Sequence, residues 1–498
     1  MESLTAEFGS ITTTLPDRYD QLRIDAGWVY TADPKCPVIV GGSVLVEGDE
    51  IIAVGTSAEV DAAERSSETT GRRTRRVNAA NRMVLPGLVN DHWHELGVLR
   101  AASGLTVDPD DCHTERGPFA GGGDMPGLSM FFDSFWDLVP LLPENLMRLA
   151  ALEGYVAQLR SGTTCVADFG SVNRPDILRD AILSSGIRGT VTTYGVDGVC
   201  YPGGSSFTRT RETAEILAQT EALLQHCLAD SSGRLRAMPS VLFGMGATDE
   251  LIKGAADLAA RYDTPLATHL SAAANELAQS ASYLGVRPVE RWHRLGVLSD
   301  RVISAHTAFA DEDEFSWLIE AGVHLTHCPQ RYGTTGEMTI TGTKQILRFL
   351  EATDRVSLST DGDPLPLGFM PETMRMAWLA YNEAAGDPRT VTPMHALSMA
   401  TLAGARALRW EDQIGSLTAG KKADLLTVPV TDYRYTGLAR PLQSFLAMGG
   451  SGDVDMVIAD GRILVEDGRA TFVNEAELAA EFLEESLKFA TAMPAQPH

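Results

Sequence analysis

The chain has 498 residues, 44 % hydrophobic and 21 % charged, enough apolar material for one large and one small globular domain, and no self-similar period indicates a solenoid. Its 41 Lys and Arg against 66 Asp and Glu give a formal net charge of −25, which repels phosphate over most of the surface and argues against nucleic acid as a partner. No apolar run reaches the roughly 18 residues a membrane span needs, the amino terminus lacks signal-peptide order, and six scattered cysteines form no C-x-x-C pair; the expectation is a cytoplasmic protein with reduced thiols and no thiolate metal site.

In chain order, residues 22–85 read as short strands broken by turns, at 22–24, 44–46 and 51–54, with Glu47-Gly48-Asp49 as a hairpin signal. The basic run Arg72, Arg73, Arg75, Arg76 reads as a solvated loop before a strand. Residues 86–412 alternate apolar strand-like runs with amphipathic helical stretches. The runs fall at 85–89, 164–167, 188–192, 237–242, 266–269, 302–306, 323–326 and 356–360. Eight β-α repeats predict a closed parallel barrel of the (β/α)8, or TIM, type. Strand texture returns at 423–428, 455–459 and 463–465, so residues 22–85 and 413–475 are expected to pair into one composite β-sandwich, with 476–498 as a C-terminal helix or tail. The fold class is α/β, a barrel with a small β domain built from both chain ends.

The strongest local signal is Pro86-Gly87-Leu88-Val89-Asn90-Asp91-His92-Trp93-His94. On a strand, residues two apart share a face, so both imidazoles can reach one ion. His269, His306 and Asp361 each close one of the later apolar runs, which puts all five at carboxyl ends of barrel strands, the rim where such barrels keep their active sites. Taken singly, each is as readily a hydrogen-bonded rim residue as a ligand. Together they form a donor set suited to Zn²⁺ or Fe²⁺.

With these motifs, and with Gly162-Thr163-Thr164, His327-Cys328-Pro329, Ser359-Thr360-Asp361-Gly362, Gly404-Ala405 and the stretch from Gly415-Ser416-Leu417 to Ala423-Asp424-Leu425, the chain resembles the amidohydrolase superfamily over residues 22–470, in the branch of triazine hydrolases and guanine deaminases. The resemblance implies one divalent ion per chain held by His92, His94, His269 and Asp361, with zinc expected first and Fe²⁺ or Co²⁺ as alternatives. It also implies Asp361 as the base, His306 as an electrophilic or proton-handling residue, and homo-oligomeric assembly. No strand-end lysine suggests a carboxylated bridge, so one ion is expected rather than two.

One departure stands out. Deaminating relatives usually carry His-x-x-Glu after the fifth strand, and here Ala272 stands at the acid position. Glu276, later in the same segment, and Asp363 are the nearby candidates for a replacement acid, Glu276 being more readily a solvated helix start. General-acid help is worth about 10²- to 10⁴-fold. Its loss leaves Asp361 to return its own proton to the leaving group, or tilts the reading from ammonia towards a better leaving group, such as a halide, thiolate or aryl amine. Gln330 and Arg331 stand where relatives often carry Ser-Asn, and the long connection 97–145 reads as a lid. Trp93, Met130, Phe131, Phe132, Phe135 and Trp136 are its candidate apolar wall, with Gln330 and Arg331 completing a substrate pocket.

The expectation is hydrolysis at an electron-poor sp² carbon of a small heterocyclic or aromatic compound, a small-molecule partner with neither nucleic acid nor membrane. The alternatives are hydrolysis of a non-ring amide, carbamate, thiocarbamate or urea, and a catalytically silent assembly protein.

Overall fold

Strands that bury both faces read as continuous apolar runs, and the middle of the chain uses eight of them. The computed structural model describes residues 5–67, 74–95, 123–170, 173–362, 369–435 and 440–492. The eight strands are Leu88–Trp93, Thr163–Asp168, Arg188–Val191, a fourth in two pieces (Leu235–Ala237 and Ser240–Phe243), Leu266–Leu270, Val302–His306, His324–His327 and Val356–Leu358. Neighbours pair in parallel throughout. Pro239 has no N–H to give to a ladder, so the fourth strand breaks there. The gap is bridged by the Met238 N–H, which donates to the Val191 carbonyl at 3.1 Å, and by the Ala267 N–H, which donates to that of Pro239 at 3.1 Å.

The last strand closes on the first. The Asp361 N–H donates to the His92 carbonyl at 3.1 Å, and the Asn90 side-chain amide exchanges hydrogen bonds with Thr360, accepting from its N–H at 3.1 Å and donating to its hydroxyl at 2.8 Å. Helices such as Glu144–Arg160, Asp249–Tyr262 and Met370–Ala385 cover the barrel, as the β-α alternation predicts.

The β segments from the two chain ends form one separate nine-stranded sheet. Its seam is Leu425–Pro429 against Thr74–Pro86, antiparallel, with Leu426 opposite Leu85. Leu22, Ile24, Val44, Ile51, Leu425 and Ile458 fill a core of their own. The first barrel strand begins two residues after Thr74–Pro86 ends, so the sheet feeds directly into the strand that carries His92 and His94. At the chain ends lie a hairpin of Thr5–Phe8 with Ile11–Thr14 and the helix Glu475–Ala492, whose Glu481 accepts from the Ser10 N–H at 2.9 Å.

Barrel and sheet are locked by buried charge. Arg188, at the start of the third strand, donates through Nε to Asp424 at 2.8 Å and through Nη2 to Asp424 and Asp460, both at 3.0 Å. Its Nη1 donates to the Gly233 carbonyl at 3.0 Å, and the Asp460 N–H donates to Asp424 at 2.8 Å. Among the described residues, no helix is long and apolar enough to cross a membrane.

Candidate metal centre

The site is assembled from the tips of the first, fifth, sixth and eighth strands. Strand alternation turns His92 and His94 to the same side. Trp93, between them, must face the other way, and its ring packs 5.3 Å from that of Tyr155 on the helix Glu144–Arg160, where Gly154 makes room for it. Trp93, expected in the substrate wall, thus packs on Tyr155 on the face opposite His92 and His94.

Across the rim, the Nε2 atoms of His94 and His269 stand 3.3 Å apart. The Nδ1–H of His269 donates to the Leu242 carbonyl at 2.6 Å; a carbonyl can only accept, so the Nε2 lone pair is the one aimed inward. Asp361 offers Oδ1 to His92 Nε2 at 3.3 Å and to His94 Nε2 at 3.6 Å. Its Oδ2 lies 3.5 Å from His306 Nε2 and 2.9 Å from Arg331 Nε. His306 Nδ1 is 2.7 Å from the Tyr332 hydroxyl, and the Phe169 ring closes the floor edge-on, 4.3 Å from His92.

The backbone is contorted where these side chains emerge. Ser271, His306, Thr307 and Asp361 are all left-handed, at φ of 48°, 70°, 45° and 60°. Such angles are costly for residues with a Cβ and persist only where surrounding contacts hold them. Here the Ser271 carbonyl accepts from the N–H groups of Ala308 and Phe309, at 3.0 and 3.1 Å, tying the fifth strand's exit to the sixth's. Gly362 is glycine for space: a Cβ there would come within 2.4 Å of that of His94.

A cation fits this donor set. Donor atoms of His92, His94 and Asp361 lie within 4.8 Å of one another, as do those of His92, His269 and His306. Neither buried ring nitrogen of His92 has a hydrogen-bond partner among the described residues, the state of an imidazole awaiting an ion. Burial holds His94 and His306 well below the usual histidine range and pushes His269 down to about 3, so all three are neutral with lone pairs available. Burial opposes ionisation of Asp361, but the Arg331 guanidinium beside it keeps the carboxyl well below its usual range.

Three other expectations change. Glu276 is buried rather than solvated; its carboxylate accepts from the Ala272 N–H at 2.6 Å, facing the backbone of the turn after His269, and burial pushes it up to about 7 against the backbone donors of Ala272, Ala273 and Ser271. Arg331 is no free substrate contact: it is buried between Asp361 and Glu337, whose Oε1 accepts from Nη1 at 2.7 Å. Gln330 turns its amide oxygen to the Thr373 hydroxyl at 3.5 Å.

The aromatic stripe divides. Met130 and Phe131 are half exposed, whereas Phe135 packs on Tyr194 and the Trp136 indole donates to the Val196 carbonyl at 2.9 Å. Phe132 reaches the site's edge through Phe243, which pairs in register with His269. Residues 96–122 of the lid, and Asp363, lie outside the described residues. Sequence reasoning missed Phe169, Tyr332 and Glu337. Phe169 carried a usable signal, since it directly follows the second strand, at the same rim as the ligands.

A closed parallel barrel whose rim gathers three neutral imidazoles and a carboxylate defines a barrel metallohydrolase. The pattern of the amidohydrolase family matches residues 83–464, and the chain belongs to that family, metal-dependent hydrolases of carbon–nitrogen bonds other than peptide bonds. It is 27 % identical over 468 residues to a 5-methylthioadenosine/S-adenosylhomocysteine deaminase of Symbiobacterium thermophilum, covering 93 % of this chain and 98 % of that one. Its fold is similar to a zinc-bound adenosine deaminase of Xanthomonas campestris (TM-score 0.79, 23 % identity, 96 % and 100 % of the two chains). A zinc complex of atrazine chlorohydrolase from Arthrobacter aurescens is equally similar in fold (TM-score 0.78, 23 % identity, 93 % and 100 %).

Proposed function

We propose that the enzyme hydrolyses a small nitrogen heterocycle at an electron-poor ring carbon and releases the exocyclic substituent, with 6-substituted purine nucleosides as the substrate class. The observation that carries the reading is the convergence of His92, His94, His269 and Asp361 on one point of the barrel rim. The nucleoside class is supported by the deaminase relative, which matches nearly end to end.

His92, His94, His269 and Asp361 would hold the ion, zinc being the first expectation. When bound, it supplies the Lewis acidity that makes water a nucleophile near neutral pH. Asp361 Oδ2 receives the proton of the attacking water, oriented for it by the Arg331 guanidinium. His306 Nε2, 3.5 Å from that oxygen, hydrogen-bonds the ring nitrogen on which negative charge develops. The phenol of Tyr332 can either donate to or accept from Nδ1, so Nε2 can present a lone pair or a proton as the step requires.

The leaving group is where this chain departs from its deaminating relatives. Ala272 supplies no acid, and the Glu276 carboxylate is engaged by the backbone. The proton held on Asp361 is then the one available to a departing amine, and a group that leaves without a proton should leave faster. This favours a second reading, dehalogenation or loss of a thiol on the same kind of ring.

The test keeps the ring and changes the substituent: 6-amino, 6-chloro and 6-methylthio purine nucleosides, with product followed by mass spectrometry. Oxygen is expected at C6 in at least one, the chloro compound turning over fastest relative to its uncatalysed rate. No turnover of any of the three, together with turnover of an aryl amide, carbamate or urea, would overturn the ring reading.

A further inference from the structure

Asp361 shows its two oxygens to two different donor sets. Oδ1 faces His92 and His94, while Oδ2 faces His306. Near His306 and Asp361 lies the buried thiol of Cys328, 3.2 Å from the Ser359 hydroxyl. Donor atoms of His306, Cys328 and Asp361 all lie within 4.8 Å of one another, as closely gathered as those of the histidine site. His306 is held in place from behind. The Tyr332 hydroxyl lies 2.7 Å from its Nδ1 and itself accepts from the Cys328 N–H at 3.3 Å, so imidazole and cysteine are tied to one phenol.

We propose that His306, Cys328 and Asp361 form a second, thiolate-bearing cation site that takes a soft or borderline divalent ion such as Zn²⁺ or Cd²⁺, and that its occupation stops turnover. The inhibition rests on the function proposed above, because the second ion takes the two side chains that reading uses, Asp361 and His306. On coordination the Cys328 thiol gives its proton to solvent and binds as thiolate, the donor type that draws soft ions.

The occupant of that space is Arg331, whose Nε is 2.9 Å from Oδ2. An arriving ion must push this guanidinium off Oδ2, and Glu337, already 2.7 Å from Nη1, gives it a carboxylate to fall back on. Displacing a buried ion pair is costly, so the second site is weaker than the first and fills only at excess metal. Among the described residues the other free cysteines, Cys36, Cys165, Cys200 and Cys227, belong to no such donor group.

The test uses the full chain loaded with one zinc. Metal content before titration probes the histidine site; added Cd²⁺ is then followed by thiolate-to-cadmium absorption in the ultraviolet and by equilibrium counting of bound ions. The expected result is one further ion per chain with thiolate absorption, and loss of turnover that a mild chelator restores while the first ion stays bound. Cys328→Ser and Cys328→Ala should lose the absorption, the further ion and the inhibition, yet turn over with one zinc. No thiolate absorption in the wild type, or absorption that persists in both variants, overturns the second site while leaving the first intact. A chain that takes up no stoichiometric zinc in the first place overturns the function proposed above and this inference with it. Should the variants fail to fold, the wild-type absorption and ion count decide.

Discussion

Two clusters of buried charge sit at opposite ends of the barrel, and they differ in one respect. At the end where the sheet docks, Arg188, Asp424 and Asp460 satisfy one another: every nitrogen of the guanidinium donates, and Asp424 accepts from the Asp460 backbone as well. At the other end, His92 keeps two buried nitrogens without a hydrogen bond among the described residues, and the Nε2 atoms of His94 and His269 face one another. A saturated cluster has nothing left to bind and serves structure. An unsaturated one is costly to bury unless something joins it, which marks it as functional.

The contrast breaks most sharply at Asp361. Asp361→Asn is expected to lower turnover by at least ~10³-fold, because ligand and proton acceptor go together, and to lower bound zinc measured by elemental analysis. Turnover and metal content near wild type would mean that the rim cluster is not the site. At the saturated end, Arg188→Met leaves the buried Asp424 without its guanidinium, while Asp460 keeps Arg18 and Arg234, and should cost about 3–5 kcal/mol in urea unfolding. Its metal content and turnover per folded molecule should stay as in the wild type; a selective loss of turnover would show the two ends to be coupled.

A smaller effect comes from the two histidines at the two ends of the seventh strand. His324 and His327 are buried and neutral, pushed down to about 3 by burial, whereas in the unfolded chain they titrate near 6.5. The unfolded state therefore binds more protons between pH 3 and 6.5; the stability these residues contribute is present above about 6.5 and lost as the pH falls towards 3. At pH 5 the loss is about 2 kcal/mol for each, to be read as the drop in urea-unfolding free energy from pH 7. An unchanged free energy would place a charged partner beside them. Smallest of all is Trp93→Phe: about 1 kcal/mol of stability from lost packing on Tyr155, with kcat and KM unchanged. A raised KM would return Trp93 to the substrate wall.

Much of the site was legible because its periodicities are local. His92 and His94 share a face by strand alternation alone, and the same rule, applied to Trp93, turns it to the opposite face. His269, His306 and Asp361 declared themselves by closing apolar runs, since a residue at a strand's carboxyl end can only emerge at the barrel rim. Arg331, Tyr332 and Glu337 were not legible in their roles. Arg331 and Tyr332 meet Asp361 and His306 across 26 or more positions of the chain, and nothing local distinguishes an arginine that meets substrate from one that clamps a carboxylate. Glu276 misled for the same reason: at a helix start an acid is usually solvated, and only the packing of the turn after His269 buries it.

By itself, then, the order of residues determined the β-α alternation, the composite sheet's two sources and the strand tips that carry donors, because backbone geometry repeats every two or 3.6 residues whatever lies beyond. Tertiary structure alone decided which atoms face each other: the two-sided use of Asp361, the backbone engagement of Glu276 and the thiol of Cys328 beside His306. Those depend on barrel closure, which brings residues hundreds of positions apart to within a bond's reach, and no local period encodes that distance.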